Sequence, residues 1–251
     1  MSNIIVQKYG GSSLSNLEEI KFVAKKIKGS LKNSNKIVIV VSAMGNTTDE
    51  LVKLGESFLK NNNEIDNLRD FDQLLSTGEI ISASLMSMSL REISVNAISL
   101  TGQKAGIFTD DLHGSARISS IDKKVILNEL TERDVVIVAG FQGVSEYGEV
   151  TTLGRGGSDT TAVAIASALN AKRCEIYTDV KGIFTADPRL VNDGKLTLTP
   201  GKLTCLLEPS LPPSITSHKR VSSSLVITLK LIRPLSTEIL EPSFTDEIKS
   251  L

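Results

Sequence analysis

Residues 154–161 read Gly-Arg-Gly-Gly-Ser-Asp-Thr-Thr, and residues 177–189 read Tyr-Thr-Asp-Val-Lys-Gly-Ile-Phe-Thr-Ala-Asp-Pro-Arg. The first run predicts a glycine turn that leads into an Ala-rich helix at Ser158 and Asp159. The first turn of a helix offers unpaired backbone N–H groups and the positive end of the helix dipole, so it holds anions. Arg155 adds a planar charged group that can bind a carboxylate or phosphate through two hydrogen bonds. The second run predicts a strand ending in a polar turn, the usual ligand position in an open α/β sheet.

Apolar runs alternate with amphipathic segments up to about residue 190. The run at 37–41 is apolar throughout, as expected for a parallel strand covered on both faces. Further strands are predicted at 4–6 and at about 93–99, 135–139 and 174–178. Helices are predicted at about 17–31, capped by Ser15 or Asn16, at 65–90 with a break near 76–79, and at about 121–131 and 159–169. This order predicts an α/β fold with a mainly parallel central sheet and helices on both faces.

Composition excludes several classes of protein. The chain has 251 residues, a net charge of −1 and 23% charged residues, so neither nucleic acid nor an anionic membrane is an expected partner. The N-terminus lacks the pattern of a signal peptide, and no apolar run approaches the roughly 20 residues of a membrane span. Cys174 and Cys205 form neither a metal motif nor a disulfide framework. We therefore expect a cytoplasmic enzyme.

The composition changes near residue 188. All seven prolines lie at Pro188 or beyond, and residues 195–243 are dominated by Leu, Ser, Thr and Pro. Strand or helix periodicity is weak there, except at 225–231. The sequence predicts a folded unit at residues 1–194 and an atypical C-terminal segment at residues 195–251.

A second candidate anion site follows the first predicted strand. Lys8 lies beside Gly10 and Gly11. Glycines let backbone N–H groups approach phosphate oxygens, and a lysine neutralises the charge on a phosphoryl group. Taken alone, so short a motif is better explained by a solvated turn, and Lys8 gains weight only because the other segments agree. The Walker pattern and a strand-following Gly-x-Gly-x-x-Gly are absent, so a nucleotide site would belong to another architecture. Ser42 and Thr47 follow the second strand, where such residues also cap helices and turns.

The remaining candidate functional residues with titratable side chains are two carboxylates and two histidines. Glu79, beside Gly78, can hold an ammonium group, although Glu is also common on exposed helix faces. Asp159 can orient the lysine, hold a metal ion or act as a helix N-terminal charge. His113 and His218 stand in no triad-like or metal-like context, so surface or loop roles are expected.

These motifs occur in an order that resembles the aspartate kinases of the amino-acid kinase family, over about residues 3–193. The resemblance rests on separate runs at 8–13, 41–49, 76–79, 140–143, 153–161 and 178–189. One run alone would be weak, whereas the ordered set is specific. The family fold is a three-layer α/β/α sandwich around a mainly parallel sheet.

The resemblance implies a reaction and assigns roles to residues. The expected activity transfers a phosphoryl group from ATP, with Mg²⁺ as cofactor, to the β-carboxylate of L-aspartate, giving 4-phospho-L-aspartate. Lys8 and Asp159 would be catalytic. The substrate would contact Ser42, Thr47, Glu79 on its α-amino group, Arg155 on its α-carboxylate, Gly156 and Ser158. ATP would contact Lys8, Tyr9, Gly10, Gly11, Ser12, Thr178, Asp179, Phe184 and Arg189.

The resemblance also bears on domain content and leaves alternatives open. The chain has no room for the paired ACT regulatory domains of most family members, so none is expected, and a homodimer is compatible with the family. One alternative is another amino-acid kinase, acting on acetylglutamate, glutamate, carbamate or a nucleoside monophosphate. The other is a truncated or degenerate aspartokinase with little activity, which the unusual tail favours.

Overall fold

The structure is a computed structural model that describes residues 4–31, 36–59, 65–178, 183–184, 196–198, 203–207 and 225–231. Five α-helices are interspersed among the strands in the described ranges. The helices are α1 Leu17–Ser30, α2 Thr47–Leu59, α3 Ile65–Glu92, α4 Lys123–Glu132 and α5 Gly157–Ala168, with a short 3-10 helix at Gly11–Leu14. The strands are β1 Ile4–Tyr9, β2 Lys36–Val41, β3 Ala97–Leu100, β4 Ile107–Thr109, β5 Ile118–Ile121, β6 Val135–Ala139, β7 Gln142–Val144, β8 Val150–Thr152, β9 Arg173–Thr178, β10 Ile183–Phe184, β11 Leu196–Leu198, β12 Leu203–Leu207 and β13 Leu225–Leu231.

A seven-stranded sheet forms the centre of the molecule, with the order β12-β13-β9-β1-β2-β6-β3. Every neighbouring pair in it is parallel except β12 and β13. The α/β fold with a mainly parallel sheet, predicted from the alternation of apolar and amphipathic runs, is confirmed. Strand β13 coincides with the run at 225–231, where the sequence retains periodicity. No helix in the described ranges is long and apolar enough to cross a membrane.

Side-chain alternation along the strands builds one hydrophobic core on each face of the sheet. Val6, Val38 and Val136 pack with helices α4 and α5. The intervening residues, such as Ile37 and Ile137, pack with helices α1 and α3. Because successive side chains of a strand point to opposite faces, Lys8 lies on the same face as Val6 and helix α5. This periodicity determines which helix the lysine meets.

Helix α3 runs without interruption over 28 residues, so the predicted break near Ser76 and Glu79 is wrong. The hydroxyl groups that favoured a break bond back to the helix instead. Ser76 Oγ donates to the carbonyl of Gln73 at 2.8 Å, and Thr77 Oγ1 donates to that of Leu74 at 2.7 Å. Gly78 is tolerated because the helix passes close to the β2–α2 loop, where a side chain at this position would start 2.9 Å from Ala43 Cβ. Tertiary packing here overrides local propensity.

A second sheet has the order β5-β4-β7-β8 and contacts helices α3 and α5. Its strands have only three or four residues each and show no clear period, so the sequence did not predict them. The N-cap of α1, in contrast, is one of the two predicted residues. Asn16 Oδ1 accepts a hydrogen bond from the Glu19 backbone N–H at 3.0 Å.

Gly140, directly after β6, lets helix α5 approach the edge of the sheet. A Cβ there would lie 2.8 Å from Ser158 Oγ and 2.9 Å from the Val41 carbonyl oxygen. We expect Gly140→Ala to lower the free energy of unfolding by about 1–3 kcal/mol, because backbone atoms would have to shift. Gly29→Ala, in α1, is the matched control, since its Cβ would meet nothing within 4 Å. The control should stabilise the protein by about 0.5–1 kcal/mol. Urea unfolding measures both, and a neutral Gly140→Ala would contradict this packing.

Candidate active site

The candidate site lies where four parallel strands end together. Tyr9 pairs with Val41 and with Tyr177, and Val41 pairs with Ala139, so β1, β2, β6 and β9 end at one level. The loops that follow therefore meet at the carboxyl edge of the sheet, the usual ligand position in this fold class. The Ser42 backbone N–H donates to the Tyr9 carbonyl at 3.1 Å, which joins two of these loops.

Lys8 is the charged group at the centre of this edge. Its side chain is only 11% exposed, and its Nζ lies 2.8 Å from Oδ1 of Asp159 in helix α5. A buried ammonium is costly unless a charge or dipole compensates it, and the Asp159 carboxylate does so here. Asp159 itself is 46% exposed, so the pair is open to solvent on one side. A ligand can therefore reach the lysine from the Asp159 side.

The glycine turn after β1 lies beside Lys8 and against the β2–α2 loop. A side chain at Gly10 would start 3.6 Å from Lys8 Nζ, and one at Gly11 would start 2.8 Å from the Ala43 carbonyl oxygen. The Gly45 N–H donates to the Gly11 carbonyl at 3.0 Å, which holds the turn against the β2–α2 loop. Ser12 follows in the 3-10 helix, and its side chain is exposed. At Gly11, therefore, only a residue without a Cβ allows this close approach, whereas a Cβ at Gly10 would make ordinary van der Waals contact.

Helix α5 begins as the sequence predicts. Gly156 is its N-cap with φ 75°, a left-handed conformation that glycine adopts without strain, and Asp159 lies in the first turn. Arg155 precedes the cap with an exposed side chain and has no ion pair among the residues that the structure describes. Ser158, in contrast, is buried. Within this start the Gly157 N–H donates to the Gly154 carbonyl at 3.1 Å and the Asp159 N–H donates to the Gly156 carbonyl at 3.0 Å. The helix start therefore offers a ligand the positive end of its dipole and the exposed guanidinium of Arg155.

Glu79 enters the site from helix α3 and is only 3% exposed. Its Oε1 accepts a hydrogen bond from the Ala43 N–H at 3.0 Å, whereas Oε2 has no hydrogen-bond partner among the described residues. Burial raises the pKa of this carboxyl from 4.5 to about 7, against the hydrogen bond from Ala43, which lowers it. Thr47, the first residue of α2, lies nearby, because its Cγ2 is 3.7 Å from the Cβ position of Gly78. A buried carboxylate with a free oxygen can bind a cationic group.

One predicted site residue turns away from this edge, and the positions of several others are not described. Tyr9 points to the opposite face of the sheet, where its ring stacks on that of Tyr177 at 4.5 Å, so its side chain cannot contact a nucleotide at Lys8. Thr178 ends β9 and Phe184 ends β10, but their side chains are not described. Asp179 and Arg189 lie outside the described residues, as does His218.

Sequence reasoning missed a buried aspartate behind the site. Asp72 of α3 is fully buried and accepts a hydrogen bond from Nδ1 of His113 at 2.8 Å. His113 does lie in a loop, as predicted, but it is held by this contact. The two residues are far apart in the sequence, so no local pattern could reveal the pair. The sequence pattern that could have pointed to Asp72 is its spacing from Glu79, seven residues further on, which places both carboxylates on one face of a helix.

A lysine, a glycine turn and a helix N-terminus at the carboxyl edge of a parallel sheet define a protein built to bind a phosphate-like anion. Beside them lies a buried carboxylate suited to a cation. The chain belongs to the amino acid kinase family, whose sequence pattern it matches over residues 3–198.

In the matched region, about half of the residues of this chain are identical to those of curated relatives. It is 54% identical over 192 residues to the aspartokinase of Geobacillus stearothermophilus, covering 76% of this chain and 46% of that protein. It is 50% identical over 189 residues to the aspartokinase of Corynebacterium glutamicum, covering 75% and 44%. The chain therefore spans about half the length of the curated relatives it matches. This similarity agrees with the resemblance noted in the sequence.

Solved structures give the same picture. The aspartate kinase of Synechocystis superimposes with a TM-score of 0.63 and 47% identity, covering 76% of this chain and 31% of that one. Aspartokinase III of E. coli, solved in complex with aspartate and ADP, superimposes with a TM-score of 0.64 and 30% identity, covering 76% and 53%. The sandwich fold expected from the resemblance is thus shared with proteins of known structure.

The raised pKa of Glu79 should make stability depend on pH. Between pH 4.5 and about 7 the folded protein holds a proton that the unfolded chain releases, so the free energy of unfolding falls as pH rises through this window. Glu79→Gln removes this contribution, which amounts to at most about 3 kcal/mol. Relative to wild type, we therefore expect the variant to gain stability from pH 5 to pH 8 in urea unfolding.

Glu132→Gln is the control for that experiment, because Glu132 is exposed at the end of α4. Its difference from wild type should stay constant with pH. A Glu79→Gln difference that is equally flat would show that the Glu79 carboxyl is not held in a protonated state by burial.

Proposed function

We propose that this chain carries the catalytic site of an aspartokinase, which transfers a phosphoryl group from ATP to the β-carboxylate of L-aspartate. The observation that carries the proposal is the pairing of Lys8 with Asp159 at the carboxyl edge, where the N-terminus of α5 and the buried Glu79 also lie. This arrangement offers positive charge for phosphate and negative charge for an ammonium group at one edge of the sheet. The curated relatives named aspartokinase, at about half identity, support the same conclusion.

The two ends of aspartate match two different parts of the site. Glu79 has a buried, unpaired oxygen that can accept hydrogen bonds from the α-ammonium group. Arg155 has an exposed guanidinium that can bind the α-carboxylate through two bonds. Further substrate contacts would come from Thr47, Ser42, Ser158 and the backbone of Gly156.

The β-carboxylate needs no general base. Its pKa is about 4, so it is already ionised at neutral pH. One of its oxygens would form a bond to the γ-phosphorus while the bond from that phosphorus to the bridging oxygen breaks, releasing ADP and leaving 4-phospho-L-aspartate. Lys8, the N–H groups of Gly10 and Gly11, and the α5 N-terminus would stabilise charge on the phosphoryl oxygens. Asp159 would hold the lysine ammonium in position.

Mg²⁺ would bind at this site through the Asp159 carboxylate together with the substrate phosphates. The described residues contain no cluster of three side chains that could hold a metal ion. Mg²⁺ commonly binds through one or two carboxylates together with substrate phosphates and water, and Asp159, about half exposed, is suited to that part. When bound, the ion would neutralise phosphate charge. The nucleotide itself would extend toward Ser12, toward Thr178 at the end of β9, and toward three residues beyond it, Asp179, Phe184 and Arg189.

We further propose that residues 1–194 form the catalytic unit and that 195–251 are an atypical extension, whose strands β12 and β13 add to the β9 side of the central sheet. The change in composition near Pro188 supports this division. A chain of this kind with an incomplete nucleotide site would bind ligands but turn over slowly, which is the second candidate function. A coupled ADP-release assay separates the candidates. Aspartate should be the preferred acceptor over glutamate, acetylglutamate, carbamate and nucleoside monophosphates, whereas ATP binding in calorimetry without turnover would support the second.

Lys8→Ala should lower kcat by about 10²-fold or more, because one preorganised positive charge is lost from the phosphoryl group. Lys8→Arg should not restore the rate, since a planar guanidinium does not replace a compact ammonium beside two glycines. Lys53→Ala is the control, as Lys53 is exposed on α2 and should leave kcat unchanged. Steady-state rates measured by ADP release decide the matter, and an unchanged kcat in Lys8→Ala would refute the assignment.

Arg155→Lys should mainly raise the KM for aspartate, because one of two hydrogen bonds to the α-carboxylate is lost while the β-carboxylate still reaches the phosphate. The KM for ATP should change little. The two Michaelis constants are measured with the other substrate saturating. A variant with normal aspartate KM and weakened ATP binding would reassign Arg155 to the nucleotide.

A further inference from the structure

One face of helix α3 carries polar groups that reach the segments around the site. The residues follow helical spacing and therefore lie on a single stripe. Each residue forms a hydrogen bond to another segment of the chain. Arg69 Nε donates to Glu149 Oε2 at 2.9 Å, and Asp72 accepts from His113 and Thr152. The Ser76 carbonyl accepts from Gln142 Nε2 at 2.8 Å, and Glu79 accepts from the Ala43 N–H at 3.0 Å.

Asp72 is the most deeply buried member of this stripe, with no exposed surface. Its carboxylate accepts hydrogen bonds from His113 Nδ1 at 2.8 Å, from the Gly114 N–H at 3.0 Å and from the Thr152 hydroxyl. An ionised carboxylate only accepts hydrogen bonds, so the contact selects the histidine form with a proton on Nδ1. A buried carboxylate without such donors would be strongly destabilising. Asp72 is therefore fitted to hold these three donors together.

The donors belong to two segments that lie side by side. Thr152 ends strand β8, and its carbonyl accepts a hydrogen bond from the Ala116 N–H at 2.8 Å. A side chain at Gly154 would start 3.5 Å from the Gly114 carbonyl oxygen. Asp72 thus fixes the turn at 113–114 against the chain that leads directly to Arg155.

The segments on either side of Arg155 determine where it lies, because no ion pair among the described residues holds its side chain. It lies between Gly154 and Gly156, which have φ values of 74° and 75°, and its side chain is exposed. Glycine adopts many backbone conformations at little cost, so a residue flanked by two of them needs an anchor elsewhere. On its N-terminal side the Leu153 N–H donates to the Phe141 carbonyl at 2.9 Å, and the residue before it, Thr152, is bonded to Asp72. On the other side, helix α5 is held by its packed core residues.

We infer that Asp72 and His113 are positioning residues for Arg155, a role that rests on the proposed function. They do not touch the substrate. They hold the turn at 113–114 and the end of β8 so that the guanidinium stands where the aspartate α-carboxylate arrives. Preorganised binding groups lose less conformational entropy on binding than mobile ones, so loss of the anchor weakens aspartate binding.

Steady-state kinetics on the full chain test this role. Asp72→Asn and His113→Ala should each raise the aspartate KM about tenfold or more, with the ATP KM changed less than twofold, because Lys8 and Asp159 are held by other contacts. His113→Asn should retain the wild-type KM, since its amide nitrogen can replace Nδ1 as the donor to Asp72. Asp134→Asn, which alters an exposed carboxylate paired with Lys36, is the matched control and should behave as wild type.

A second readout does not need activity. Hydrogen exchange followed by mass spectrometry should show faster exchange at 110–116 and 152–157 in His113→Ala, with 20–30 in α1 unchanged. The His113 variants keep the test decisive even if Asp72→Asn fails to fold. Wild type without aspartokinase activity would overturn the proposed function, while faster exchange confined to the two segments would still support the anchor. Unchanged aspartate KM in an active enzyme, or exchange equal to wild type, would overturn the positioning role.

Discussion

The ion pair between Lys8 and Asp159 is the contact on which the arrangement of the site depends. Burying an ammonium in the central strand is tolerable only with a compensating charge, and the carboxylate 2.8 Å away supplies it. The pair in turn requires that α5 start close to the sheet. Gly140 permits this approach, because any side chain there would collide with Ser158 and the Val41 carbonyl. The close packing of α5 on the sheet is therefore also what brings the compensating charge of Asp159 to Lys8.

Helix α3 plays the corresponding part for the other half of the site. It packs its apolar residues against the sheet and uses a polar stripe to reach the second sheet and the loop after β2. A continuous helix keeps these contacts in fixed relation over its 28 residues, which a broken one would not. The buried Glu79 and the anchor at Asp72 thus stand on the same rigid element.

Much of the fold followed from the sequence because its strands and helices have strong periods. Strand β6 was predicted at the observed residues, and α5 began within two residues of the expected position. The short strands of the second sheet lack a period and were missed. The continuity of α3 was mispredicted, since Ser76 and Gly78 favour a break that packing against Ala43 removes. In the site, glycines and charges in compact runs were visible, whereas the contact of Asp72 with His113 arises only when distant segments meet.

The stacked pair formed by Tyr9 and Tyr177 makes the centre of the sheet visible to spectroscopy. The chain has three tyrosines and no tryptophan, and these two rings lie nearly parallel, 4.5 Å apart, in adjacent strands beneath Lys8. Tyr147, in contrast, is exposed. Immobilised aromatic rings in an asymmetric environment give near-ultraviolet circular dichroism, which is lost when specific packing is lost. The tyrosine band of this protein is therefore a label-free signal from the strands that bear the site.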